Sequence, residues 1–306
     1  MTEAVLSLKS VSRARHQAMK KIHRIFAAAS ALFFLTACTS AGLALINIPS
    51  SLKGGYTVHE TFYGPNPSHK MDIYVPAGNR SEKKDVIVFF YGGRWQSGTK
   101  EDFRFVGAAL ARRGFVTVIP EFRKYPEVRF PVFVEDGAKA LAWVDDHITE
   151  YGGQRDRLHL TGHSSGAHMA ALLTVDKHYL AAENKNARLL IRDFAGLAGP
   201  YAFTPDEKDL IDIFGLPERA PHMRATTFID GKEPRMLLLY GQKDDSVKPY
   251  NHERLAKRLR DKGGHVEIIT YPGLGHIGII GTFSDLGPKS SVVDDMTAFF
   301  KANKHE

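Results

Sequence analysis

Short apolar runs and longer amphipathic stretches alternate along most of the chain, which predicts strands and helices that follow one another in turn. The runs that predict strands are residues 57–63, 71–75, 85–91, 115–122, 157–161, 194–198, 235–240 and 265–271. The stretches with helical spacing are residues 101–113, 130–151, 165–182, 249–262 and 292–301. This alternation predicts an α/β fold, in which helices cover both faces of a mostly parallel central sheet of about eight strands.

One stretch inside this pattern, residues 201–234, has no clear periodicity, and we interpret it as a small lid inserted between two strands. The other predicted elements suit one large domain, because α/β folds often exceed about 200 residues as a single unit. We therefore predict one α/β domain over residues 57–306.

The front of the chain follows the pattern of an export signal. A basic stretch at residues 20–24 precedes an apolar run at residues 25–35, which is too short to span a bilayer. Leu-Thr-Ala-Cys follows and resembles the bacterial lipobox, whose cysteine is lipidated, and Cys38 is the only cysteine of the chain. We predict a lipoprotein signal at residues 1–37, a lipid anchor on Cys38, a tether at residues 38–56 and an exported, membrane-anchored protein. A plain secretory signal, or a buried helix with an incidental cysteine, is the alternative.

Net charge bears on one class of partner, the nucleic acids. The net charge is +7, but residues 1–37 carry six Lys or Arg side chains against one Glu. The part predicted to fold is therefore left at about +2, which offers no argument for a nucleic-acid partner. A single cysteine also rules out a disulfide within the chain.

The residues Gly162-His163-Ser164-Ser165-Gly166 match the pattern G-x-S-x-G. A chance match is common, but here a predicted strand precedes the motif and a predicted helix follows it. That context suits a strained strand-to-helix turn that exposes a nucleophilic serine, with small residues on either side. We predict Ser164 as the nucleophile.

A serine hydroxyl needs a base, and the base needs an acid that orients it. Asp244 and Asp245 both follow the strand at residues 235–240, at the carboxyl end where functional groups of parallel sheets gather. His276 follows the last predicted strand and precedes the final helix, in a Gly-rich loop. The order serine, acid, histidine is the one that this kind of turn accompanies.

Glycines also follow the third predicted strand, where Gly92-Gly93 would let the backbone approach a ligand. Backbone N–H groups in such a loop can stabilise the negative charge that develops on an attacked carbonyl. His163 and His168 lack a neighbouring cluster of carboxylates or cysteines, so we predict neither a metal nor a cofactor.

Residues 57–302 resemble the esterase/lipase group of the α/β-hydrolases, which includes the hormone-sensitive-lipase-like carboxylesterases and the arylformamidases. The similar segments are residues 89–95, 121–126, 130–131 with Asp136, 162–166, 197–201, 238–247 and 271–276. The resemblance implies Asp244 as the acid, since Gly-x-x-Asp-x-x-Val matches the family pattern, and leaves Asp245 as a solvated carboxylate. It implies an oxyanion hole formed by the N–H groups of Gly93, Arg94 and Ser165.

The chain departs from the family pattern at two positions. Tyr91 stands where the family usually has His, and Glu121 stands where an Asp often begins Asp-Tyr-Arg. The first departure alters the floor of the predicted oxyanion loop.

Three functions agree with these residues. The first is a serine esterase that hydrolyses short or medium acyl esters, or aryl esters, through an acyl-enzyme. The second is an arylformamidase or another amide hydrolase with the same three groups, and the third is a surface binding protein without turnover. The side chains that we predict to contact the substrate are those of Tyr91, Trp95, His163 and Tyr201.

Overall fold

The computed structural model describes residues 46–48, 53–78 and 82–302. The predicted signal peptide and Cys38 lie outside these residues. In the described part of the chain, no helix is long and apolar enough to cross a membrane.

Eight strands form one sheet in the order β1-β2-β4-β3-β5-β6-β7-β8. The strands are β1 (Tyr56–Phe62), β2 (Lys70–Pro76), β3 (Lys84–Phe90), β4 (Val116–Pro120), β5 (Gly153–His163), β6 (Ile191–Leu197), β7 (Arg235–Gly241) and β8 (Val266–Tyr271). β2 runs antiparallel to both β1 and β4, and the other neighbours are parallel. This sheet confirms the predicted α/β fold with a mostly parallel sheet.

Helices connect the strands and cover the sheet. They are α1 (Arg104–Ala111), α2 (Val132–His147), α3 (Ser165–Val175), α4 (Lys177–Ala182), α5 (Ala187–Leu190), α6 (Lys208–Phe214), α7 (Ala220–Met223), α8 (Tyr250–Asp261), α9 (His276–Gly281) and α10 (Val292–Lys301). Residues Val86 to Phe90 of β3 are completely buried, as expected for a central strand covered on both faces.

Two predicted helices differ in detail from the observed ones. The stretch at residues 165–182 is two helices, because Asp176 is extended and its side chain accepts a hydrogen bond from the N–H of His178, as an N-cap does. The stretch at residues 101–113 begins with a 3-10 turn, Lys100–Phe103, whose capping box joins Thr99 and Asp102.

The segment interpreted as a lid contains α6, α7 and two short 3-10 turns.

Before the first strand, Asn47 contacts the start of α1. Its side-chain oxygen accepts a hydrogen bond from the N–H of Phe105 at 2.9 Å, and its Nδ2 donates to the carbonyl of Asp102 at 2.9 Å. Part of the predicted tether therefore already contacts the domain.

Candidate active site

Ser164 lies at a sharp turn between β5 and α3. Its φ of 55° and ψ of −124° are strained for a residue with a side chain. A Cβ on Gly166 would lie 2.1 Å from the carbonyl oxygen of Phe90, and a Cβ on Gly162 would lie 2.6 Å from the carbonyl of Gly166. Glycine is therefore required at both ends of the motif, and the turn holds the Ser164 hydroxyl at the carboxyl edge of the sheet.

The structure brings together the three residues predicted as nucleophile, acid and base, each of which follows a different strand. Ser164 Oγ lies 2.9 Å from Nε2 of His276, and Nδ1 of the same ring lies 2.8 Å from Oδ2 of Asp244. The imidazole thus accepts from the serine hydroxyl while it donates to the carboxylate, which is the arrangement that a general base requires.

Asp244 and Asp245 have different surroundings. Asp244 is 7% exposed, and its Oδ1 accepts hydrogen bonds from the backbone N–H groups of Ser246 at 3.0 Å and Val247 at 2.8 Å. Burial disfavours the charged carboxylate, but the hydrogen bonds from His276 and Val247 outweigh it and lower the pKa of Asp244. Asp245 is exposed, and within the described residues its carboxylate accepts a hydrogen bond only from the hydroxyl of Ser246. The geometry thus favours Asp244 as the partner of His276.

His276 is the first residue of helix α9, whereas the sequence pattern predicts a flexible loop at this position. Gly275 precedes it in an extended conformation, and a Cβ on Gly275 would lie 3.0 Å from the carbonyl oxygen of Lys243. The chain therefore packs closely on the loop that carries Asp244 before it turns into the helix. This close contact holds the start of the helix, and with it His276, against the loop that carries Asp244.

The predicted oxyanion loop follows β3. Gly92 lies against the nucleophile turn, because a Cβ there would lie 3.0 Å from Cβ of Ser164. Gly93, Arg94 and Trp95 all have positive φ, at 147°, 55° and 59°. Among the described residues, the N–H groups of Gly93, Arg94 and Ser165 donate to no backbone or side-chain acceptor. No protein acceptor in the described part of the chain competes for these N–H groups, and the oxyanion hole that they would form stays a prediction.

The two residues that depart from the family pattern meet under this loop. The Tyr91 hydroxyl donates to the carboxylate of Glu121, which also pairs with Lys124. The Tyr91 ring lies between Phe103 and Phe122, with centroid distances of 5.3 and 4.7 Å. Burial, and next to it the Glu121 carboxylate, raises the pKa of Tyr91 well above its ordinary value, so the hydroxyl remains a donor.

Both the sequence and the structure of this chain are similar to those of known proteins. Residues 71–197 match the BD-FAE family. Esterase B from Lactobacillus rhamnosis has a similar structure, with a TM-score of 0.70 and 18% identity over 87% of this chain and 94% of that protein. Together with the strand order, this likeness decides the fold. The chain has the α/β-hydrolase fold.

Several curated relatives of this α/β-hydrolase chain are esterases by name, and a kynurenine formamidase from Danio rerio is 28% identical over 38% of this chain and 38% of its own length. A probable isoprenylcysteine alpha-carbonyl methylesterase from Oryza sativa is 24% identical over 85% of this chain and 69% of its own length. Esterase LipC from Mycobacterium tuberculosis is 25% identical over 70% of this chain and 58% of its own length. The chain spans from 38% to 69% of the length of these curated relatives.

The segment interpreted as a lid is attached to the predicted oxyanion loop. The Arg94 side chain binds Asp209 through Nε at 2.7 Å and Glu207 through Nη2 at 2.7 Å. The Trp95 ring stacks on Phe203 at 5.4 Å and meets the edge of Phe214 at 4.7 Å. Aromatic packing and ion pairs thus hold the lid beside the nucleophile.

The four side chains predicted to contact a substrate all lie in the interior: Tyr91, Trp95, His163 and Tyr201 are 0%, 4%, 3% and 1% exposed. Tyr201 fills the space over the end of β6, where a Cβ on Gly196 would lie 1.9 Å from its hydroxyl oxygen. Large aromatic rings gain most from burial. These side chains therefore form no open surface, and their contact with a substrate stays a prediction. Among the described residues, no cluster of His, Cys, Asp and Glu could hold a metal ion.

Proposed function

We propose that this protein is a serine carboxylesterase in which Ser164 is the nucleophile, His276 the base and Asp244 the acid. One observation carries the proposal: a single imidazole joins the strained serine to a buried carboxylate, at 2.9 and 2.8 Å. The named esterases among its relatives support the same reaction class.

The reaction follows from this arrangement. Ser164 Oγ attacks the ester carbonyl carbon while its proton passes to Nε2 of His276, and the carbonyl oxygen becomes an oxyanion. The N–H groups of Gly93, Arg94 and Ser165 bind that oxyanion. The protonated imidazole, stabilised by Asp244, then gives its proton to the departing alcohol, which leaves an acyl-enzyme. Water, activated by the same base, releases the acid and restores the serine.

The acyl group that we propose is short or medium in length, or the ester is an aryl ester. Trp95, Phe203 and Phe214 fill the space between the oxyanion loop and the lid, with ring distances of 4.7 to 5.4 Å. A long acyl chain would have to displace these rings, whereas a small group would not.

A panel of p-nitrophenyl esters of increasing acyl length, run beside an N-formyl aryl amide, tests the proposal with wild type and Ser164→Ala. We expect hydrolysis of the short esters, a decline in kcat/KM as the acyl chain lengthens, and no turnover by the variant. Preference for the formyl amide would instead identify an amide hydrolase. Binding without turnover of any member would contradict an enzymatic role.

The proposal also includes export and a lipid anchor on Cys38, which place the enzyme at a membrane surface outside the cytoplasm. Wild type should fractionate with membranes and label with palmitate, since several lipid chains anchor a protein firmly. Cys38→Ala should lose the label. An unlabelled wild type in the soluble fraction would contradict the anchor without affecting the esterase proposal.

A further inference from the structure

His163, the residue before the nucleophile, has a contact that the proposed reaction leaves unexplained. Its Nε2 lies 3.0 Å from the backbone carbonyl oxygen of His276, and the two rings lie 4.8 Å apart between centroids. Only 3% of the His163 surface is exposed. The neighbour of the nucleophile therefore holds the main chain of the base.

The direction of this hydrogen bond is fixed by its acceptor. A carbonyl oxygen cannot donate, so Nε2 of His163 must carry the proton. Burial, with the nearby His276 as the next cause, lowers the pKa of His163 to about 3. The ring is therefore neutral at any pH at which an esterase of this type works, and it adds no second positive charge beside the imidazolium that forms on His276.

The other side of the His163 ring faces the oxyanion loop. A Cβ on Gly92 would lie 2.9 Å from Nδ1 of His163 and 3.1 Å from its carbonyl oxygen. One buried side chain thus lies between the loop, the nucleophile turn and the base. If its ring moved, the relative positions of all three would change.

We infer that His163 is a positioning residue for the base: its Nε2–H, bonded to the carbonyl of His276, holds the imidazole of His276 in line with both Ser164 and Asp244. The inference rests on the proposed roles of Ser164, His276 and Asp244 as nucleophile, base and acid. The hydrogen bond is made to a carbonyl in the first turn of helix α9, so it ties the main chain that carries the imidazole to the turn that carries Ser164. Catalysis is sensitive to such anchors, because a misplacement of about 1 Å can cost about 100-fold in rate.

Two variants separate the hydrogen bond from the packing of the ring. His163→Phe keeps an aromatic ring but removes the N–H, whereas His163→Gln can place an amide N–H close to the position of Nε2. With p-nitrophenyl acetate we expect the Phe variant to lose about 10- to 100-fold in kcat with KM changed less than about twofold. The Gln variant should recover most of that loss. The low-field proton resonance of the His276–Asp244 hydrogen bond should broaden in the Phe variant and return in the Gln variant.

His168 provides a matched control. It is completely buried, and its Nε2 donates to the carbonyl of Met223 at 2.7 Å, in the lid instead of at the base. His168→Phe should lower the melting temperature about as much as His163→Phe but leave the low-field resonance in place. Titration with a fluorophosphonate counts the molecules whose serine can react. The kcat per titrated site therefore distinguishes a loss of folded protein from a misplaced His276 side chain.

The inference is overturned if His163→Phe keeps the wild-type kcat per site, if the loss lies in KM, or if His163→Gln is no better than His163→Phe. An equal loss of the resonance in His168→Phe would also overturn it. A wild type that hydrolyses no ester would instead contradict the proposed function and would be seen before any variant is compared.

Discussion

The two halves of the candidate site differ in how they are held in place. In the half formed by Ser164, Asp244 and His276, each side chain follows its own parallel strand, and the three join through two hydrogen bonds of 2.8 and 2.9 Å. In the other half, the loop after β3 presents backbone N–H groups, and the part-buried contact of Tyr91 with Glu121 and Lys124 supports it from below. The first half depends on the identity of a few side chains, whereas the second depends on backbone shape. Substitutions should therefore affect the two halves differently.

The largest difference is expected between two adjacent carboxylates in the first half. Asp244→Asn should lower kcat by about 10⁴-fold, because His276 then loses its ionic partner and its correct tautomer. Asp245→Asn should change kcat less than about twofold, since Asp245 is exposed and bonds only to Ser246. Steady-state kinetics of both variants on one ester check this. If Asp245→Asn had the larger effect, the assignment of the acid would be wrong.

In the second half, a single methyl group should be enough to disturb the loop. The added Cβ of Gly92→Ala would lie 2.9 Å from Nδ1 of His163 and 3.0 Å from Cβ of Ser164, so the loop must move away from the nucleophile. We expect a loss of about 100-fold in kcat. Gly273→Ala is the control, because a Cβ at that position meets nothing within 4 Å. Equal kcat values for the two variants would show that the loop position does not matter.

Loss of the Tyr91 contact below the loop should lower kcat less than a change in the loop itself. Tyr91→Phe removes the hydroxyl that donates to Glu121, and we expect a loss of about 1–3 kcal/mol in the free energy of unfolding and about 10-fold in kcat. Tyr271→Phe removes a similar bond, from a tyrosine hydroxyl to Asp295 at 2.8 Å, outside the loop. Urea unfolding and kinetics should show a stability loss in both variants but a clear loss of kcat only in Tyr91→Phe. A kcat loss of the same size in both would contradict a specific role for Tyr91.

The smallest expected effect is on the free energy of unfolding at acidic pH, and it comes from two buried histidines, His163 and His168. Burial lowers the pKa of His163 to about 3 and that of His168 to about 4, from 6.5. Between about pH 6 and 5 the unfolded chain therefore binds protons that the folded chain does not, so stability falls as the pH falls, by up to about 1.4 kcal/mol per pH unit for each histidine. His168→Gln should flatten the dependence of the melting temperature on pH over this range. An unchanged slope would contradict the burial argument.

The arrangement of the strands and the first half of the site could be predicted because each rests on local signals. An apolar run followed by G-x-S-x-G, and the order of Asp244 and His276 after later strands, are visible in short stretches of sequence. The second half depends on a contact between Tyr91 and Glu121, which are 30 residues apart and come together only when β3 and β4 pair. Both residues depart from the family pattern, and a tyrosine donor can pair with the longer carboxylate of a glutamate. That joint departure was the signal in the sequence that could have indicated the contact.

Burial and helix boundaries were harder to predict. Adjacency to the motifs did not indicate how deeply four side chains are buried, those of Tyr91, Trp95, His163 and Tyr201. The helix that begins at His276 has only six residues, His-Ile-Gly-Ile-Ile-Gly, with glycine twice. Glycine lowers helix propensity, so tertiary contacts and not local sequence determine this element.

The central claim is that His276 activates Ser164 as a nucleophile, and covalent labelling tests it most directly. A fluorophosphonate should add one adduct to the wild type, which peptide mass spectrometry should locate on Ser164. The adduct should be absent in Ser164→Ala and strongly reduced in His276→Ala. The double variant should hydrolyse esters no more slowly than either single variant, because the two groups act as a unit. An adduct on Ser165, or near-wild-type turnover by Ser164→Ala, would contradict the account.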